Sequence, residues 1–244
     1  SYNGKEQLDI INRKNRTDNT DNEEKKKKII DSLGILPNPA EKIQVLLYVE
    51  GNHDVNALKR YSSILHAADP QIIDLANSEK VGYVITGGSA LKHYIELKHL
   101  EGLGKPEVHI YDNDVPDYRR AVATINNENN PNKIAYNTTK LELENYLHHE
   151  AILDGYRANG INDLNLNGLT DNQDVPLYIA EQMNKRSSNN WDTLDEEKQK
   201  ELASGKKKFL NTVAVEHMTI DRLNDRNSYN DLVQWFNSIK GYIN

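Results

Sequence analysis

From residue 44 onward the chain alternates between two hydrophobic patterns. QVLLYVE (44–50), VGYVIT (81–86), EVHIYD (107–112) and KIAYNTT (133–139) are short runs, nearly continuous in apolar and strand-forming residues. Such runs mark strands buried on both faces. Between the first two, NHDVNALKRYSSILHAA (52–68) places Val55, Leu58, Tyr61 and Leu65 at helical spacing. SALKHYIELKHL (89–100), with Ser89 as N-cap, and DYRRAVATIN (117–126) read as further helices, and another runs through LENYLHHEAIL (143–153). Strands alternating with helices predict an α/β fold, a mostly parallel four-stranded sheet with helices on both faces.

Outside this stretch the pattern changes. Residues 1–40 hold few apolar positions, an Asn/Asp/Thr-rich stretch at 17–22 and the run Lys25, Lys26, Lys27, Lys28. They read as a linker or lead-in, with IIDSLGIL (29–36) a short docking helix and Pro37 and Pro39 at the boundary. Residues 41–154 hold the strands and their helices. After a polar Asn/Gly/Asp loop (154–174), PLYIAEQMNKR, LDEEKQKELA, KKKFLNTVAVEHM and YNDLVQWFNSI predict a smaller helical subdomain over 155–244. Trp191 and Trp235 fall in helical contexts as core or interface anchors.

Composition narrows the function. The 244 residues are 37% hydrophobic and 27% charged, enough to close a core. No apolar run approaches a membrane span. The absence of cysteine removes disulfide scaffolds, cysteine zinc sites and thiol nucleophiles together. With no signal peptide in SYNGKEQLDI, a cytoplasmic location is expected, and the missing initiator Met suggests a piece of a longer chain. A net charge of −7 argues against a generic polyanion binder but not against a nuclease, whose acidic site meets phosphate through metal ions.

The chemistry is concentrated where the predicted strands end. In an open parallel sheet, ligands bind beyond the carboxyl ends of the strands. Glu50 ends the first strand, Gly51 turns the chain, and Asp54 follows one helical turn on. Asp112 and Asp114 close the third strand at a spacing that puts extended residues on one side, and Glu142 and Glu144 repeat that spacing after the fourth. Such a cluster repels itself unless divalent cations occupy it, and hard carboxylate oxygens suit Mg²⁺ or Mn²⁺. Taken singly, Asp54, Asp117 and Glu142 also suit a helix start.

VLLYVEGNHDVNAL, the Gly87-Gly88 turn and VHIYDNDVPDYRRA together resemble the toprim domain shared by topoisomerases, primases and OLD-family (overcoming lysogenization defect) nucleases. LELENYL (141–147) resembles the L-E-x-Y-L segment of the OLD branch, and IIDSLGILPN resembles its lead-in. The resemblance covers about residues 44–150. It implies a metal-dependent endonuclease using two ions, with Glu50, Asp54, Asp112, Asp114 and Glu144 as ligands and Glu142 the runner-up to Glu144. Glu50 is also implied as a possible proton acceptor. OLD nucleases carry a basic residue in the C-terminal helical region, and in SGKKKFLNTV (204–213) Lys206 is the best match, implied to stabilise charge on the phosphate. Catalysis is thus expected from Glu50, Asp112 and Lys206.

The resemblance further implies nucleic acid as substrate, DNA ahead of RNA, an ABC-type ATPase, membership of an oligomer, and bacterial antiphage defence. No G-x-x-x-x-G-K-[ST] occurs, since GLGKPE lacks the hydroxyl residue, so the ATPase is expected upstream or on another chain, or is absent. None of the 13 tyrosines has the surroundings of a topoisomerase nucleophile, and a primase would need zinc- or template-binding modules. The alternative is a non-cutting toprim module that binds nucleic acid or a partner ATPase. A separate candidate, Asp163 to Asp174, has EF-hand spacing with Gly168 at position six, but Thr170 and Asp174 replace the usual residues at eight and twelve. It reads as either a calcium loop or a plain polar one. His53 is placed to approach the metals or to lie exposed in a first helical turn, and His148-His149 lacks the spacing of a zinc helix.

Overall fold

A computed structural model describes residues 42–87, 104–166, 169–187 and 189–244. The lead-in over 1–40 with its helix at 29–36, the helix expected over 89–100, and Gly88, Asn167 and Gly168 lie outside the described residues.

Four strands form one all-parallel sheet in the order β2-β1-β3-β4: β1 (Val45–Val49), β2 (Val81–Ile85), β3 (Glu107–Tyr111) and β4 (Lys133–Asn137). β1 pairs with β2 from Val45 against Val81 to Val49 against Ile85. It pairs with β3 on its other side, Leu46 against Glu107. The chain therefore reverses its direction of travel across the sheet between β1 and β3. That is where a crevice opens beyond the strand ends.

Alternation divides the strand residues between two cores. Val45, Leu47 and Val49 of β1 and Val108 and Ile110 of β3 enter the main core, while Leu46, Tyr48 and Tyr111 face the other way. On the main face lies α1 (Asn52–Ala68), which buries Ala57, Leu58, Tyr61 and Leu65. On the other, α2 (Pro116–Asn127) brings Tyr118 and Ala121 against Tyr48 and Tyr111.

The helix expected over 143–153 is two elements. A 3-10 turn, Leu143–Tyr146, ends at Leu147 in an extended conformation. A separate helix, α3 (His149–Ala158), then starts, capped by His148, whose side chain accepts from the Glu150 amide. At the break, Asn145 turns its side chain onto near and distant backbone instead of outward. Its Oδ1 accepts from the Glu142 amide at 3.0 Å and its Nδ2 donates to the carbonyls of Thr170 and Gln173.

After α3 follow α4 (Val175–Arg186), α5 (Glu196–Thr212), α6 (Ile220–Asp225) and α7 (Tyr229–Gly241). Leu210 of α5 and Trp235, Phe236 and Ile239 of α7 belong to the same core as Val45 and Leu47. The helical region expected as a subdomain thus closes the sheet's own core. Its separate cluster is small: Ala180, Trp191 and Ala203. The EF-hand-like loop engages its acids elsewhere. Asp163 pairs with Arg186, Asp174 caps α4 through the Leu177 amide, and Leu164 and Leu166 point into the core. No described helix is long and apolar enough to cross a membrane.

The ends of β1 and β2 are tied closely. Both the amide and the hydroxyl of Thr86 donate to the Val49 carbonyl, at 2.9 and 3.0 Å. At Gly87 an added Cβ would lie 2.5 Å from the Glu50 carbonyl oxygen. Gly87→Ala is therefore expected to cost about 1–3 kcal/mol by forcing the strand ends apart. A denaturation midpoint equal to that of the wild type would show that the ends can separate freely.

Candidate metal centre

Asp112 continues the β3 alternation onto the main-core side, directly above Val108 and Ile110. The chain bends after it, so strand alternation does not extend to Asp114, which is exposed. The 3-10 turn after β4 places Glu142 and Glu144 opposite Asp112. One ligand oxygen from each of Asp112, Glu142 and Glu144 lies within 4.8 Å of the others, and all three residues are buried. Among the described residues this is the one such group of acids and histidines.

Several bonds fix this triad. Asp112 Oδ1 accepts from the Leu143 amide at 2.8 Å, which locks the end of β3 to the 3-10 turn. Glu144 Oε1 accepts from Asn211 Nδ2 at 2.7 Å. The remaining oxygens, Asp112 Oδ2 and Glu144 Oε2, are buried and have no hydrogen-bond partner. Buried carboxylate oxygens left in this way are costly unless a cation faces them. One does: Lys207 Nζ lies 3.0 Å from Glu142 Oε2 and 3.8 Å from both Asp112 Oδ2 and Glu144 Oε2.

Two further acids border the triad. Asp54 is buried, and its Oδ2 accepts from the Gly51 amide at 2.8 Å, so it also caps α1. Glu50 follows β1 with the parity of Tyr48, on the α2 side of the sheet. It is half-buried and interacts with the Tyr118 hydroxyl and with Asp54, Asp114 and Lys207.

The electrostatics follow from this crowding. Burial raises the pKa of Asp112, and repulsion from Glu144, Asp54 and Glu50 adds to it. Burial likewise raises Glu144, with Lys207 working against it and Glu142 and Asp54 with it. Glu142, Asp54 and Glu50 are raised for the same first reason, and Lys207 moderates each. Burial opposes the Lys207 charge, but attraction by Glu144, Glu142, Asp112 and Glu50 outweighs it and holds the ammonium far above its ordinary range.

The structure changes three of the residue assignments. Lys207, not Lys206, reaches the carboxylates; burial lowers the pKa of Lys206, and no ion pair joins it to the centre. Helical spacing does not separate the two, since Lys206 lies three residues after buried Ala203 and four before buried Leu210, and Lys207 four after and three before. Glu142 stands in the triad together with Glu144. Asp114 stands at the exposed rim beside Glu50. Asn211 had no motif to announce it. His53 is half-buried with Nδ1 lacking a hydrogen-bond partner, and His148 is engaged with Asp225 at 2.7 Å.

An all-oxygen donor set with two carboxylate oxygens that lack a hydrogen-bond donor is compatible with binding a metal ion.

No protein-family model and no curated protein matches the chain. Among solved structures it is similar to the C-terminal region of the Xanthomonas campestris pv. campestris OLD protein. That likeness has a TM-score of 0.41 at 15% identity, over 79% of this chain and 96% of that one. It is also similar to the C-terminal region of the Burkholderia pseudomallei OLD protein. There the TM-score is 0.38 at 17% identity, over 78% of this chain and 98% of that one.

The raised carboxylates make stability pH-dependent in a defined direction. Each takes up its proton more readily in the folded than in the unfolded chain. Their stabilising effect is therefore full below about pH 4 and is lost as pH rises through the raised values. With a chelator present, Asp112→Asn, which keeps the acceptor for Leu143, is expected to gain stability over the wild type as pH rises above about 4. Asp112→Ala is expected to be less stable than Asp112→Asn by about 1–3 kcal/mol, because the Leu143 amide loses its acceptor. Thermal unfolding across that pH range measures both, and a pH-independent difference for Asp112→Asn would contradict the repulsion.

Proposed function

We propose that this chain hydrolyses phosphodiester bonds in nucleic acid, with divalent ions held at the strand ends. The observation that carries this reading is the pair of buried, unpartnered oxygens of Asp112 and Glu144, aimed with Glu142 at one point beside Lys207. The sequence resemblance to the toprim domain of OLD-family nucleases supplies the reaction class.

Asp112, Glu142 and Glu144 would hold ions, with Asp54 and Glu50 at the border of the triad and Asp114 at its rim. Bound there, Mg²⁺ or Mn²⁺ supplies activation of water and neutralisation of the departing oxygen. Glu50 is the carboxylate best placed to take the proton of the attacking water. It is half-buried, its pKa is raised by burial, and it keeps contact with solvent. Lys207 adds a fixed positive charge, held protonated, where a phosphate would gain negative charge in the transition state. The substrate is DNA ahead of RNA. The physiological setting is an OLD-type assembly with an ABC-type ATPase in the cytoplasm, acting in antiphage defence.

One observation favours a second reading, a non-cutting module that binds nucleic acid or an ATPase. Lys207 already offsets part of the triad's charge, so the cluster can persist as an ion-pair network.

Incubation of plasmid DNA with the protein separates the two. Cleavage is expected with Mn²⁺ or Mg²⁺ and none in EDTA. Lys207→Met is expected to lower the rate by about 10²–10³-fold, as for loss of a group that stabilises transition-state charge. Lys206→Met should stay within a few-fold of the wild type. Cutting that persists in EDTA would sink the metal mechanism, and no cutting with either ion would favour the binding module.

A further inference from the structure

Residues Lys207 and Asn211 lie one turn apart on α5, and both address Glu144. Lys207 Nζ is 3.8 Å from Oε2, and Asn211 Nδ2 donates to Oε1 at 2.7 Å. Glu144 and Asn211 are both fully buried, at 0% exposure, so neither can exchange this bond for one with water. The bond sets the amide with its NH₂ toward Glu144 and its Oδ1 away from it. The cost of that orientation is visible: Asn211 Oδ1 is buried without a partner. An amide kept in a half-satisfied position, against a charged group, is shaped by that group more than by packing.

We infer that Asn211 is a positioning residue for the metal centre. By tying Glu144 Oε1, it holds Oε2 toward Asp112 and Glu142. It touches neither ion nor substrate and acts through Glu144. Groups that bond the far atom of a metal ligand orient that ligand and raise its affinity, and their loss typically costs about 10–100-fold in metal binding. The inference rests on the metal-binding part of the proposed function.

Calorimetric titration of Mn²⁺ into the folded full chain tests it, with circular dichroism confirming the fold of each variant. Asn211→Leu removes the donor while keeping the branching and the number of side-chain heavy atoms, and Asn211→Asp replaces it with a second carboxylate at the same volume. Both are expected to weaken Mn²⁺ binding by about tenfold or more. In a Glu144→Gln background, where the ligand itself is lost, Asn211→Leu should produce no further change. That non-additivity is a readout that a packing role would not give. Wild-type affinity in both single variants, or equal losses with and without Glu144, would overturn the inference. Wild type that binds no Mn²⁺ would overturn it together with the metal centre. Wild type that binds Mn²⁺ but cuts no nucleic acid would overturn the nuclease reading and leave the positioning role to be judged by the variants.

Discussion

Bringing Asp54, Asp112, Glu142 and Glu144 together in buried positions beside half-buried Glu50 is the condition on which the rest of the molecule depends. Asp112 is repelled by Glu144, Asp54 and Glu50, and Glu144 by Glu142 and Asp54, and burial removes the water that would screen that repulsion. A folded chain tolerates this only if cations and hydrogen-bond donors are built around the acids. Here they are Lys207 against the triad, the amide of Leu143 on Asp112, that of Gly51 on Asp54, and Asn211 on Glu144. Asp112 Oδ2 and Glu144 Oε2 remain without a hydrogen-bond donor and face only Lys207, at 3.8 Å each.

The C-terminal helices exist in this arrangement to complete that balance as much as to cover the sheet. α5 presents one buried stripe, Ala203, Leu210 and Asn211. Leu210 enters the sheet's core, while Lys207 and Asn211 on the same side of the helix meet the acids. Fixing the helix by apolar packing thus fixes the cation and the amide with it. The 3-10 turn is held in the same manner from its far side, where Asn145 binds the backbone at 170 and 173. Lys140 and Arg226 both pair with Asp171 of that segment, each at 2.9 Å.

The two faces of the sheet divide the chemistry. The triad lies on the side of α1, α5 and the main core, where exposure is close to nil. Glu50, by its parity in β1, falls toward α2, near Tyr118, whose ring stacks on Tyr111 at 5.4 Å, and near the exposed Asp114. In the proposed function, the buried carboxylates on one side would hold ions and the solvent-reaching one on the other would exchange protons with water.

Strand and helix periodicity alone determined the parallel sheet, the positions of all four strands, and the placement of Glu50 and Asp112 at strand ends. These are short-range properties, set by burial on both faces and by the turn that Gly51 begins. The pair Glu142 and Glu144 was also legible as a unit, though not that both would serve. Other features depended on packing between distant segments. Asn145 ends a helix that the apolar pattern would have continued, because backbone some 25 residues away accepts its side chain. Lys207 rather than Lys206 reaches the acids although the two flank the Ala203 and Leu210 stripe symmetrically, so only the docking of α5 against the 3-10 turn separates them. Asn211 carries no motif, since its role comes from a single contact across 67 residues of sequence. Local pattern fixes which backbone ends carry the acids, whereas the rotation of a helix against a remote strand decides which neighbours offset their charge.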